Sequence, residues 1–245
     1  MEFARRLAAG SLAAVASAAL CVATPAAAAS HPTVDVATLY RDAVATTHSW
    51  SVHYVSTSTQ SQVTLYETGD AGPASGTQVV LTGKGTLDDE ITIDVIGGIT
   101  FVKGNAGGLE FLAGLNAAEA ATVSNRWIDF STTNSAFSQV VQGVRSHDVA
   151  SQLELKGPLT LRPSRTLDGL TVDAIEGTQA GPGHKSVKVV LYVRASGRHV
   201  PVEEDSIGAA GKATSELHVV YSHWGEPVRP MAPSGALPLG PVSAV

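Results

Sequence analysis

Between Leu159 and Tyr221, short runs of alternating apolar and polar residues are separated by turn signals, and no other feature of the chain restricts its fold as much. Leu159-Thr160-Leu161 leads through Asp168-Gly169 to Leu170-Thr171-Val172. Ser186 to Arg194 turns at Ser196-Gly197 into Arg198 to Glu203, and Thr214 to Tyr221 completes the set. Hairpins that follow one another in this way build an antiparallel sheet, because a tight turn joins only antiparallel neighbours. The run Val187-Lys188-Val189-Val190-Leu191-Tyr192-Val193 is apolar on one face throughout and partly apolar on the other. Such a strand is covered on both sides, or lines an apolar cavity with one of them.

Strand-like sequence also precedes the centre of the chain. Trp50, Val52 and Tyr54 alternate with polar neighbours within Ser49 to Gln62, and Thr77 to Thr82 and Thr86 to Ile96 continue in that style. Gly97-Gly98 then predicts a hairpin into Ile99-Thr100-Phe101-Val102-Lys103, since paired glycines supply the positive φ of primed turns. Helical spacing is confined to other places. Val36, Leu39, Tyr40, Ala43 and Val44 predict an amphipathic helix over Asp35 to Thr47. Leu109 to Val123 and Ser135 to Val144 predict two or three short helices, separated by Arg126 to Phe130. A further short helix carries Val149 and Leu153 and stops before Gly157-Pro158. The order helix, strands, short helices, strands gives an α+β class, with the helices on one face of a strongly curved antiparallel sheet.

The first 29 residues have a different character. Arg5 and Arg6 precede an almost uncharged run from Leu7 to Val22, and Thr24 to Ala29 ends in small residues, the pattern of a secretory signal cleaved after Ala28 or Ala29. Cys21, the single cysteine, lies within that run. A lipoprotein signal places a small residue before its cysteine, and here Leu20 stands there, so the expected product is secreted or in the cell envelope, without a lipid anchor. The expected organisation is a signal over 1–29, one domain over 30–228 and a disordered Pro/Gly-rich tail over 229–245, where Pro230, Pro233, Pro238 and Pro241 recur. Without the signal the chain has no cysteine, which excludes disulfides, thiol catalysis and cysteine metal sites. Its charge is then −7, from 14 basic and 21 acidic residues, which argues against nucleic acid and against an anionic lipid surface. No later apolar run is long enough to span a membrane as a helix.

Motifs of known chemistry fail on inspection. Gly208-Ala209-Ala210-Gly211-Lys212-Ala213 lacks the first glycine and the hydroxyl residue of a phosphate-binding loop, and reads as an exposed loop. No nucleophile elbow is present, so no catalytic residue is assigned. His48 and His53, and His218 and His223, are five residues apart, which puts neither pair on one face. Asp88-Asp89-Glu90 and Glu203-Glu204-Asp205 lack the alternation and central glycine of a calcium loop and read as solvated strand ends. No metal or cofactor is expected. What remains is apolar surface: Ile91, Ile93, Phe101, Phe111, Leu112, Leu115, Trp127, Phe137, Val140, Leu159, Leu161 and Leu191 fit either an ordinary core or the lining of a ligand cavity.

A family pattern favours the cavity. Ile99-Thr100-Phe101-Val102-Lys103-Gly104-Asn105, Phe111 with Gly114-Leu115, Arg126-Trp127-Ile128, Leu153-Glu154-Leu155-Lys156-Gly157-Pro158-Leu159-Thr160, Asp168-Gly169-Leu170, Leu191 to Gly197 and Tyr221 to Val228 resemble actinobacterial exported proteins of the LppX/LprG type, in the LolA-like superfamily. The resemblance runs over most of Trp50 to Pro233. It implies a half-open antiparallel β-barrel with helices on its concave face and an apolar cavity between them, lined by the twelve residues above, that takes acyl chains of lipid or glycolipid. It implies binding and transfer of such a partner rather than catalysis. The alternative within the same fold is an envelope sensory or regulatory module that contacts a protein partner. At Leu20 the chain departs from the anchored members.

Overall fold

A computed structural model describes residues 35–60, 62–130, 141–180, 186–210 and 213–238. The signal over 1–29 and most of the expected helix over Ser135 to Val144 lie outside them.

The first helix, α1 (Val36–Ser49), begins where the Asp35 carboxylate accepts the Thr38 N–H at 3.1 Å and the Thr38 hydroxyl at 3.0 Å, a side-chain N-cap. Leu39, Ala43 and Thr47, four residues apart, form its buried stripe. Strands β1 (Val52–Gln60), β2 (Val63–Ala71), β3 (Gly76–Gly83), β4 (Asp89–Ile96) and β5 (Ile99–Gly104) follow as a meander. The β4–β5 turn is Gly97-Gly98, with φ of 58° and 84°, as its composition predicts. The short helices α2 (Ala106–Phe111) and α3 (Ala117–Val123) come next, each N-capped by an asparagine, Asn105 and Asn116. After β6 (Ile128–Phe130) and α4 (Ser146–Gln152) a second meander runs through β7 (Lys156–Leu167), β8 (Leu170–Ala180), β9 (Ser186–Arg194), β10 (Pro201–Ala210) and β11 (Ala213–Ser222). The loop expected at Gly208 to Ala213 is thus largely strand, at the β10–β11 hairpin.

β1 and β11 pair along their length and fuse the two meanders into one twelve-stranded sheet, of order β12-β6-β5-β4-β3-β2-β1-β11-β10-β9-β8-β7. Among the described residues the ends of that order do not pair, so the barrel is half-open. Its last strand, β12 (Leu237–Pro238), corrects the expectation of a disordered tail from residue 229. Leu237 donates its N–H to the Trp127 carbonyl at 2.9 Å, and β12 lies parallel to β6. Proline cannot donate to a ladder, yet one free N–H between prolines suffices to close an edge strand.

Helices cover one face of the sheet. α1 and α4 pack Leu39, Ala43, Val149 and Leu153 on Val52, Ile175, Val189, Leu191 and Val193, and α2 and α3 pack Leu109 and Ala120 on Ile91, Ile93, Val102 and Ile128. The Tyr40 hydroxyl ties α1 to the end of α4, donating to the Leu153 carbonyl at 3.1 Å and accepting the Leu155 N–H at 2.7 Å. On the opposite face a small cluster of Val172, Ala174 and Tyr192 is capped by the Arg165 guanidinium, 3.6 Å from the Tyr192 ring centre. Both faces of β9 are therefore covered in part, as its sequence requires.

Candidate functional site, an acidic cavity on the helix-covered face

Strand register places one residue from each of ten neighbouring strands in a single row on the helix-covered face. From β5 to β7 it reads Gly104, Ile91, Val80, Glu67, Ser56, Val219, Glu204, Leu191, Ile175, Leu161. The row is apolar towards both ends and acidic at its centre. That centre is the floor of a cavity of about 420 Å³, whose wall is formed by Val149, Ser151 and Gln152 of α4, Glu154, Lys156 and the end of β8 at Gln179 and Ala180. Such a volume lies within the range of small-molecule sites.

Glu204 is only 2% exposed. Its carboxylate accepts from the Tyr221 hydroxyl at 3.1 Å and from Gln179 Nε2 at 3.2 Å, and Gln179 also donates to the Gln152 carbonyl at 2.7 Å. Burial outweighs these two bonds and pushes the Glu204 acid up to about 7. The expected solvated run Glu203-Glu204-Asp205 is thereby corrected: an extended strand turns alternate side chains to opposite faces, so Glu204 enters the cavity while its neighbours face outward. There Glu203 meets Arg165 at 2.9 Å, and Asp205 meets His218 at 2.8 Å. Glu203, Asp205 and His218 hold ligand atoms within 4.8 Å of one another, and these ion pairs engage all three.

Across the row, burial also raises the Glu67 acid, whose carboxylate accepts no hydrogen bond among the described residues. One register step away, the Tyr54 ring lies across β2 at Gly69, where an added Cβ would come within 2.8 Å of it. Among the described residues the Tyr54 hydroxyl and Gln78 Oε1 are buried without a hydrogen-bond partner. Burying such groups unpaired costs about 1–3 kcal/mol each, so this region is held in the fold against its own stability.

No family model matches the chain, and no curated protein sequence matches it significantly. Solved structures do. LprF from Mycobacterium bovis superposes with a TM-score of 0.51 at 16% identity, covering 82% of this chain and 97% of LprF. The chain shares the fold of LprF. The lipoprotein LppX from Mycobacterium tuberculosis gives a TM-score of 0.49 at 18% identity, covering 79% of this chain and 97% of its own. A LolA superfamily protein from Nitrosomonas europaea gives 0.28 at 12% identity, over 81% and 96%.

The described residues among those expected to line an apolar cavity do not border the acidic one. Ile91, Ile93 and Leu115 belong to the core under α2 and α3, and Leu191 to the core under α1 and α4. Phe101 is buried, Leu112 packs on the α2–α3 core, Leu159 packs on the α1–α4 core, and Trp127 is half-buried beside β12. Phe111 is 65% exposed and Leu161 43% exposed. Phe137 and Val140 lie outside the described residues. None of the ten described residues borders the acidic cavity. Instead Glu67, Glu204, Tyr54 and Tyr221 come together there through the β1–β11 pairing. The available signal was the period of two: in Glu204-x-Ser206-x-Gly208 an acid shares a face with small residues, and in Leu65-x-Glu67-x-Gly69 likewise.

Proposed function

We propose that this protein binds an amphiphile, lipid or glycolipid, and carries it in or beyond the bacterial cell envelope, without catalysis. The observation behind this reading is a cavity between helices and sheet whose floor joins a polar centre to apolar walls of Val149, Leu217, Val219 and Ala180. An apolar tail gains about 0.8 kcal/mol for each methylene it withdraws from water, so such walls retain a chain without directional contacts. The polar centre then selects the head group. The Arg5-Arg6 start and the apolar run to Val22 support export of this chain, with cleavage after Ala28 or Ala29. LprF, which shares the fold, comes from a mycobacterium, in keeping with an envelope of that kind.

The test is extraction. Protein exported by an actinobacterial host and purified without detergent is expected to release close to one amphiphile per chain into organic solvent. A lipid-free extract, with one stoichiometric protein partner retained on pull-down, would replace carriage with the sensory or regulatory alternative.

A further inference from the structure

Where β9 turns into β10 the chain forms a second cavity, of about 410 Å³, whose described lining shares only Tyr221 with the acidic one. Arg194 and Arg198, four residues apart in that turn, both line it, and no described aspartate or glutamate does. The turn is held from several sides. The Arg194 N–H donates to the Val200 carbonyl at 3.0 Å, and the Arg194 carbonyl accepts from His199 Nδ1 at 3.1 Å. The Ala195 N–H donates to the Thr171 carbonyl of β8 at 3.0 Å. Two tryptophans complete the cavity. The Arg198 guanidinium lies 4.0 Å from the ring centre of Trp50, at the end of α1, and Trp224, just beyond β11, donates its Nε1 to the Pro201 carbonyl at 3.0 Å.

The charges of the two arginines are unmatched. Among the described residues, the guanidinium groups that meet a carboxylate are those of Arg145, Arg162 and Arg165, and the side chains of Arg194 and Arg198 donate no hydrogen bond. Arg194 Nε is buried, and no acceptor among the described residues meets it. An arginine keeps its proton, so a donor shut off from water in this way carries the cost of an uncompensated charged group. A ligand that brings an acceptor removes that cost. The planar guanidinium fork matches oxyanions, and two fixed positive charges around one space favour a doubly charged one. Val200 and Val202 join the two indole rings as an apolar flank, which suits an organic substituent on that anion.

We propose that this cavity binds a phosphate monoester. Arg194 anchors its oxygens, Arg198 supplies the second positive charge, and Trp50 and Trp224 pack against its organic part. The site goes beyond the amphiphile reading of the acidic cavity and does not rest on it. A soluble organic phosphate and the head group of phosphatidic acid present the same chemistry, and the experiment separates them.

Calorimetry on the full exported chain at pH 8, where a phosphate monoester carries close to two negative charges, compares hexyl phosphate, inorganic phosphate and hexanol. Hexyl phosphate is expected to bind at least about tenfold tighter than hexanol, as one charge-assisted contact implies. It is also expected to bind tighter than inorganic phosphate, which leaves the tryptophan flank empty. In an Arg194→Gln variant that retains the native circular dichroism, the affinity for hexyl phosphate is expected to fall about tenfold or more. Arg198→Gln, at an exposed position, is expected to lower it about threefold, and serves alone if Arg194→Gln does not fold. Absence of hexyl phosphate binding, equal binding of hexyl phosphate and hexanol, or an affinity undiminished in the variants overturns the inference. Sedimentation with phosphatidylcholine vesicles, with and without phosphatidic acid, then gives the source. Retention that needs phosphatidic acid and is weakened in Arg198→Gln identifies a lipid head group, and retention absent or unchanged in that variant identifies a soluble organic phosphate.

Discussion

Replacing Glu204 by glutamine should stabilise this protein above neutral pH and do little in acid. In the native state the acid is raised from 4.5 to about 7 by burial, so between those values the folded chain holds a proton that the unfolded chain has lost. Stability contributed by this group is therefore fully present below about pH 4.5, declines as pH rises through 7, and is lost above it. A displacement of this size corresponds to about 3 kcal/mol at 1.36 kcal/mol per pH unit. In the Glu204→Gln variant the new amide can turn its oxygen to accept from Gln179 Nε2, which keeps its bond to the Gln152 carbonyl, and its NH2 to donate to the Tyr221 oxygen. Urea unfolding of wild type and Glu204→Gln from pH 5 to 8 measures the effect. Acids elsewhere, Glu67 included, titrate in both proteins and cancel. The stability difference should grow from less than about 1 kcal/mol at pH 5 to about 2–3 kcal/mol at pH 8 in favour of the variant. Parallel pH curves would refute the argument, because they would mean that Glu204 ionises in the folded chain as it does in water.

Tyr54→Phe removes a buried hydroxyl that has no partner among the described residues, and should leave stability unchanged or raise it by up to about 1 kcal/mol in urea unfolding. Gly69→Ala drives a Cβ into the Tyr54 ring at 2.8 Å and should cost about 1–3 kcal/mol. Most of that cost should vanish in a Tyr54→Leu background, and a double-mutant cycle reads the coupling. Intact mass of the exported protein should correspond to a chain starting at Ala29 or Ser30, and a diacylated chain starting at Cys21 would contradict the reading of Leu20.

β9 of the second meander was legible because one of its faces, Val187, Val189, Leu191 and Val193, is apolar and buried throughout. β2 was not, for a physical reason. Its inward set is Leu65, Glu67, Gly69 and Ala71, which mixes an acid and small residues where an apolar stripe is the usual signal. The same property hides the site. A residue that faces a polar cavity imitates one that faces water, and Glu204 sits between two acids that do face water. Phe111 misleads in the opposite direction: a helix of six residues buries Gly108 and Leu109 and leaves the phenyl ring outside. The gathering of Glu67 with Glu204 depends on β1 pairing β11, with Ser56 opposite Val219. No local pattern encodes a contact between positions so distant in the chain.

The central claim is that this cavity is occupied by one amphiphile. Native mass spectrometry of the detergent-free exported protein, compared with a Ser56→Phe variant that fills the floor between Glu67 and Val219, tests it most directly. The account predicts a single lipid-sized adduct on the wild type that is lost from a variant with the same unfolding midpoint. An adduct retained equally by both proteins, or absent from both, would contradict it.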